Sequence, residues 1–98
     1  MKNRLILGVF VAACILPMSS ALALFEEEKA ELLKGADITL VEAVKKALTT
    51  VKGKAVEAEL EKEHGKTVFE VKIIDENEAT REVYVDAHTG EVVKIEKD

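Results

Sequence analysis

The feature that most constrains the fold is residues 83–95, which read Val-Tyr-Val-Asp-Ala-His-Thr-Gly-Glu-Val-Val-Lys-Ile. Asp86 is placed to accept backbone hydrogen bonds as a turn opens, and Gly90 supplies the positive φ that a type I turn followed by a bulge requires. On both sides of this turn, apolar residues alternate at period two: Val83 and Val85 before it, Val93 and Ile95 after it. Because such alternation lets a strand bury one face, the stretch predicts a β-hairpin.

Four strands are predicted in all, over residues 54–63, 67–74, 80–86 and 91–96. The residues expected to point inward are Val56, Ala58, Leu60, Phe69, Val71, Ile73, Val83, Val85, Val93 and Ile95. Short links join neighbouring strands, including a glycine-containing turn at residues 64–66, and this predicts an antiparallel meander. The clean alternation indicates that one face of the sheet is buried and the other is wet.

A main helix is predicted before the strands. Thr39 followed by Glu42 forms a capping box, and Gly53 is a natural stop. One apolar stripe runs along the helix through Val41, Val44, Leu48 and Val51. A second, shorter helix is predicted over residues 25–34, ending at Gly35. The expected fold class is therefore α+β, with one main helix covering one face of a four-stranded sheet.

The N-terminus has the layout of a secretory signal peptide. Lys2 and Arg4 form a positive start, residues 5–16 are largely apolar, and Ala21-Leu22-Ala23 is an A-x-A cleavage signal. The predicted organisation is a signal peptide over 1–23, an arm helix over 24–36 and one domain over 37–98. The expected location is the periplasm or the cell exterior.

Two alternatives to cleavage after Ala23 stay open at this point. Residues 11–14 resemble a lipoprotein box, which would make Cys14 a lipidated N-terminus. Residues 5–25 are long enough to serve as an uncleaved membrane anchor. In all three cases the positive end stays inside and the domain is exported.

Cleavage would leave 75 of the 98 residues, with 12 lysines and arginines against 19 acidic residues, a net charge of −7. This charge excludes nucleic acid, since phosphate contacts need clustered cations, and it disfavours an anionic membrane surface. Residues 24–98 contain neither serine nor cysteine, and no glycine-rich loop indicates phosphate binding. Carboxylates are plentiful, but so small a domain leaves little room for a water-excluding cleft. We expect a protein with no enzymatic activity and no cofactor.

Four pieces of the chain, by their order and spacing, resemble the PepSY domain: residues 38–43 (ITLVEA), 53–60 (GKAVEAEL), 69–71 (FEV) and 84–92 (YVDAHTGEV). The resemblance implies a module that accompanies protease propeptides or occurs in exported bacterial proteins, and that restrains proteolysis. A similar module builds a protein inhibitor of β-lactamase. The family supplies no catalytic residues, and because the sequence ends at Asp98 without a protease, inhibition is expected to act in trans.

The second face of the predicted sheet is strongly acidic. Glutamates alternate along the first strand, and further glutamates lie on its neighbours. We interpret this face as a docking surface for a basic protein partner, in which Tyr84 is an aromatic anchor. The candidate partner-binding residues are Glu57, Glu59, Glu61, Tyr84, Asp86 and His88. The alternative is a solvated face whose charge only maintains solubility.

Two other functions are considered. His64 and His88 fall in turns at the same end of the sheet, so a metal or cation buffer that uses Glu63 or Asp86 is an alternative. The two turns would be about two strand spacings apart, roughly 10 Å, which is too far for a shared ion, and no metal ligand is assigned. An accessory protein that docks through the helix at residues 25–34 is the third hypothesis.

Overall fold

The structure is a computed structural model that describes residues 27–98. The fold described below is that of the compact unit Glu31–Asp98, which includes the end of the first helix. The predicted signal peptide and Cys14 lie outside the described residues. Within residues 27–98, neither helix is long and apolar enough to cross a bilayer.

The predicted fold class is confirmed. Helix α1 occupies residues 27–33 and corresponds to the predicted short N-terminal helix. Helix α2 spans Leu40–Thr50. Four strands follow: β1 (Gly53–Glu63), β2 (Lys66–Asp75), β3 (Thr80–Asp86) and β4 (Val92–Lys97). They form one antiparallel sheet in the order β1-β2-β3-β4, which is the predicted meander.

Helix α2 begins with the predicted capping box. The backbone N–H of Glu42 donates to Thr39 Oγ1 (3.1 Å), and the backbone N–H of Thr39 donates to Glu42 Oε1 (2.8 Å). The predicted apolar stripe is wrong in part, because Val41 is 60% exposed while Ala43 and Ala47 are fully buried. The small alanines let the helix backbone approach the sheet closely. The other members of the stripe do contact the core: Val44 and Leu48 are partly buried against it and Val51 is buried in it.

The core lies between α2 and one face of the sheet. Its largest buried side chains come from the two central strands, which have a neighbour on each side. Phe69, Val71, Ile73, Val83 and Val85 are all at most 2% exposed. Leu60 and Val51 complete the cluster from β1 and the C-cap of α2.

The turn between β3 and β4 forms as predicted. Asp86 Oδ1 accepts hydrogen bonds from the backbone N–H groups of His88 (2.7 Å) and Thr89 (3.1 Å), and Gly90 has φ 83°. The carbonyl of Ala87 accepts from the backbone N–H groups of residues 37 (2.8 Å) and 38 (3.1 Å). This turn therefore also holds the chain segment that leads into α2.

Two irregularities in the ladders overturn the predicted orientation of two valines. Register shifts occur between Ala55 and Glu57 in β1 and at the pairing of Tyr84 and Val85 with β4. An extra residue in one strand reverses the facing of the residues beside it. As a result Val56, predicted to be inward, is 58% exposed, and Val92 replaces Val93 against the core.

Candidate functional site

The candidate site is the face of the sheet opposite α2. The register places in one row Glu57, Lys72, Glu82 and Glu96, and in the next Glu59, Glu70, Tyr84 and Lys94. A third row contains Glu61, Val68 and Asp86, and Glu63 follows at the end of β1. We call these twelve residues the open face. The predicted side of the sheet for Glu57, Glu59, Glu61 and Tyr84 is therefore correct.

One ion pair crosses the open face from edge to edge. Lys94 on β4 donates from Nζ to Glu63 Oε2 on β1 over 2.7 Å, although two strands separate them in the sheet. Three strand spacings in a flat sheet would be about 14 Å. The right-handed twist, which accumulates to roughly 60–75° over three steps, turns the edge strands relative to each other, and the two long side chains reach across the remaining distance. The side chains of Glu63 and Lys94, one from each edge strand, therefore meet above the central strands.

Tyr84 lies beneath this bridge, and the prediction that its face of the sheet is wet is wrong at this position. The residue is only 7% exposed, and Lys94 Nζ lies 4.3 Å from the centroid of its ring. Its hydroxyl is 3.3 Å from both Glu70 Oε2 and Glu82 Oε1. A phenol carries one proton, so it donates to one carboxylate at a time. Tyr84 thus packs within the face rather than projecting from it.

Carboxylates are crowded around the Tyr84 hydroxyl. Partial burial raises the pKa of Glu70, and hydrogen bonding and repulsion from Glu61 raise it further. Burial also raises the pKa of Glu82, with Glu70 as the second cause. The phenol pKa of Tyr84 is raised by burial and then by the charge of Glu70. The centre of the open face therefore favours the protonated form of its carboxylates, and it also attracts positively charged groups.

The Glu63–Lys94 bridge is electrostatically matched. Its hydrogen bond is the main cause that lowers the pKa of Glu63 and the main cause that raises the pKa of Lys94. Lys94 also reaches Glu96 Oε2 at 3.3 Å, so one cation serves two carboxylates. On the far side of the face, Lys72 lies 3.7 Å from Glu57.

The remaining two predicted partner-binding residues are not on an accessible part of this face. Asp86 is 9% exposed, and its carboxylate is engaged by the turn, where the backbone N–H of His88 is the main cause of its lowered pKa. His88 is exposed, but its Nδ1 pairs with Asp37 Oδ2 at 2.6 Å. The structure assigns Asp86 to folding of the turn. Within residues 27–98, no group of three or more histidine, cysteine, aspartate or glutamate side chains converges as a metal site requires.

A small cavity beside the Glu63–Lys94 bridge was missed by sequence reasoning. It has a volume of about 180 Å³ and is lined by Glu63, His64, Lys66, Val68, Tyr84, Val93 and Lys94. Val68 forms part of its floor and is 1% exposed although it lies on the supposedly wet face. The signal was present in the adjacent apolar pairs Val68-Phe69 and Val92-Val93, since two neighbouring apolar residues in a strand supply both faces.

Comparison with known proteins gives a family match and two similar structures. The family model described as PepSY, "Peptidase propeptide and YPEB domain", matches residues 37–96. A "putative lipoprotein" from Clostridium difficile 630 is similar with 30% identity and a TM-score of 0.59, over 62% of this chain and 40% of that chain. The YpmB protein from Bacillus subtilis is similar with 27% identity and a TM-score of 0.59, over 66% of this chain and 51% of that chain. This chain thus corresponds to about half or less of each protein. No curated protein matches it significantly.

Proposed function

The chain belongs to the PepSY family, and we propose that it acts outside the cytoplasm as a non-enzymatic module that binds another protein. Export is supported by the signal-peptide pattern at residues 1–23 and by the lipoprotein description of the Clostridium protein. Binding without catalysis is supported by the absence of serine and cysteine from residues 24–98.

The observation that carries the proposal is the charge imbalance of the open face. Seven glutamates share it with only two lysines, and both lysines already pair with glutamates. Glu57 is exposed, and Glu59 and Glu61 are half-buried along the edge strand β1. A surface of one sign steers an oppositely charged partner toward it and repels like-charged surfaces. The favoured partner is therefore a protein with a basic surface.

A peptidase is the first class of partner to test. The family description names peptidase propeptides, which are segments that contact a protease before it is active. We propose that this chain modulates or inhibits an extracytoplasmic protease in trans, with the open face against a basic region of that protease. Inhibition then requires contact but no catalytic residue of this chain.

The test is capture of partners from the extracytoplasmic extract of the cells that make the protein. Immobilised wild type is compared with the variant Glu57→Lys/Glu59→Lys/Glu61→Lys. A matched control with the same charge change carries Glu76→Lys/Glu78→Lys/Glu91→Lys, whose side chains lie in turns outside the open face. A partner that is retained by wild type and control but lost from the first variant supports the proposal.

The captured partner is then purified and its affinity for each of the three proteins is measured. Reversal of the open-face charges should slow association and change its dependence on salt, because exposed charges mainly steer encounter. If the partner is a protease, its activity on a peptide substrate is measured with and without the protein. Equal binding by all three proteins would remove the open face as the docking surface.

A further inference from the structure

The cavity beside the Glu63–Lys94 bridge has an apolar lining that the charge pattern of the open face does not explain. Its floor is the buried side chain of Val68 and the ring of Tyr84. Its rim combines the Glu63–Lys94 bridge and Lys66 with the half-exposed Val93 and with His64 in the β1–β2 turn. The floor is therefore apolar, while the rim is charged and reaches solvent.

The size of the cavity limits what it can hold. Its volume of about 180 Å³ is below the roughly 300–1,000 Å³ of pockets that enclose a small-molecule ligand. An apolar recess of this size with a charged rim is the arrangement in which one anchor side chain of a protein partner is buried and surrounding contacts exclude water. Val93, which the bulge beside Tyr84 turns away from the core, supplies an apolar wall for such a side chain.

The surrounding charge decides which partner carries that side chain. Glu59 and Glu61 lie on the same face of β1 as Glu63, and Glu70 and Glu82 flank the Tyr84 hydroxyl. A second copy of this chain would bring the same acidic face and be repelled, as would a nucleic acid or an anionic membrane. Lysine or arginine residues on an extended segment would instead meet these carboxylates.

We propose that this cavity receives one apolar side chain, leucine or phenylalanine, from an extended basic segment of the partner protein. The inference rests on the proposed function and adds the chemistry of the segment that is recognised. Lysines or arginines on either side of the anchor pair with the glutamates of β1, and the anchor contacts Val68, Tyr84 and Val93. Specificity then comes from the anchor, and association rate from the charges.

The test uses three short extended peptides in which lysine and threonine alternate and the central residue is leucine, phenylalanine or alanine. Binding to the full chain is measured by calorimetry and by the methyl resonances of its valines. We expect the leucine or phenylalanine peptide to bind on the order of tenfold more tightly than the alanine peptide, from the additional apolar area buried. The methyl signals of Val68 and Val93 should shift, while those of Val71 and Val83, on the core face, should not.

Two variants then locate the anchor. Val93→Phe fills the cavity and should bring the affinity for the leucine peptide down to that of the alanine peptide. Ile95→Phe makes the same kind of change on the opposite face of β4. This variant should still bind the leucine peptide more tightly than the alanine peptide. Equal affinity of the wild type for all three peptides, or no binding of any, would overturn the anchor cavity. Those results leave the proposed function to be judged separately, by whether the extract yields a partner that depends on Glu57, Glu59 and Glu61.

Discussion

Truncation of Tyr84 is expected to damage folding, not only binding. An aromatic side chain buries about 150–250 Å² in a folded protein. Since Tyr84 is only 7% exposed, almost all of its area is removed from water. At about 25 cal/mol per Å² this area corresponds to about 4–6 kcal/mol, which is an upper limit because denatured chains already bury part of their apolar surface.

Several contributions adjust this limit. Alanine retains the Cβ atom, and Glu70 and Glu82 regain water once the ring is gone, so the cost falls below the area limit. Loss of the Lys94 contact over the ring adds about 0.5–1 kcal/mol. We therefore expect Tyr84→Ala to lower the free energy of unfolding by about 3 kcal/mol, at the lower end of the range for removing a buried aromatic ring.

Urea denaturation followed by far-ultraviolet circular dichroism measures this difference, with Tyr84→Phe as the matched control. The phenylalanine variant keeps the ring and its contact with Lys94 and loses only the hydroxyl, so its stability should change by about 1 kcal/mol or less. For a domain of this size the alanine variant should also melt about 12–24 °C lower. A Tyr84→Ala protein within about 1 kcal/mol of wild type, at unchanged urea slope, would show that the ring is not packed as described.

Three further predictions concern positions away from this ring. Gly53→Ala should destabilise by about 3 kcal/mol or more, because the new Cβ would lie 2.2 Å from a backbone carbonyl oxygen of β2. The control is Gly65→Ala, where a Cβ meets nothing within 4 Å and the positive φ should cost only about 1 kcal/mol. Equal losses of stability for the two variants in urea denaturation would refute the close approach of Gly53 to β2. Thr39→Ala should cost about 1 kcal/mol through loss of the N-cap, and thermal melting that is unchanged would contradict the capping box. Because the folded-state pKa values of Glu70 and Glu82 are raised, their contribution to stability is present below pH 4.5 and declines as pH rises through those values. The stability of wild type relative to Glu82→Gln should therefore fall between acidic and neutral pH, and a difference that is constant with pH would show that folding does not raise the pKa of Glu82.

Local chemistry explains the predictions that are confirmed. The turn at residues 86–90 depends on a carboxylate that accepts nearby N–H groups and on a glycine at positive φ, and both requirements can be read from neighbouring residues. The Thr39–Glu42 capping box spans three residues, and the meander follows from short links between strands. The acidic side of the sheet was equally readable, because Glu57, Glu59 and Glu61 follow the two-residue period of a strand.

The parts that sequence reasoning missed depend on how distant residues meet. The bulges that turn Val56 and Val93 away from the core arise where two strands pair out of step, so one strand read alone does not reveal them. The choice of Ala43 over Val41 as the buried side of α2 follows from how closely the helix can approach the sheet. The burial of Tyr84 also depends on side chains from other strands, since Lys94 of β4 lies over its ring. Period-two patterning predicted most of the residues that share a face. The pairing of the assembled strands decided where bulges reverse that pattern and which side chains meet over Tyr84, since these contacts join residues that are far apart in the chain.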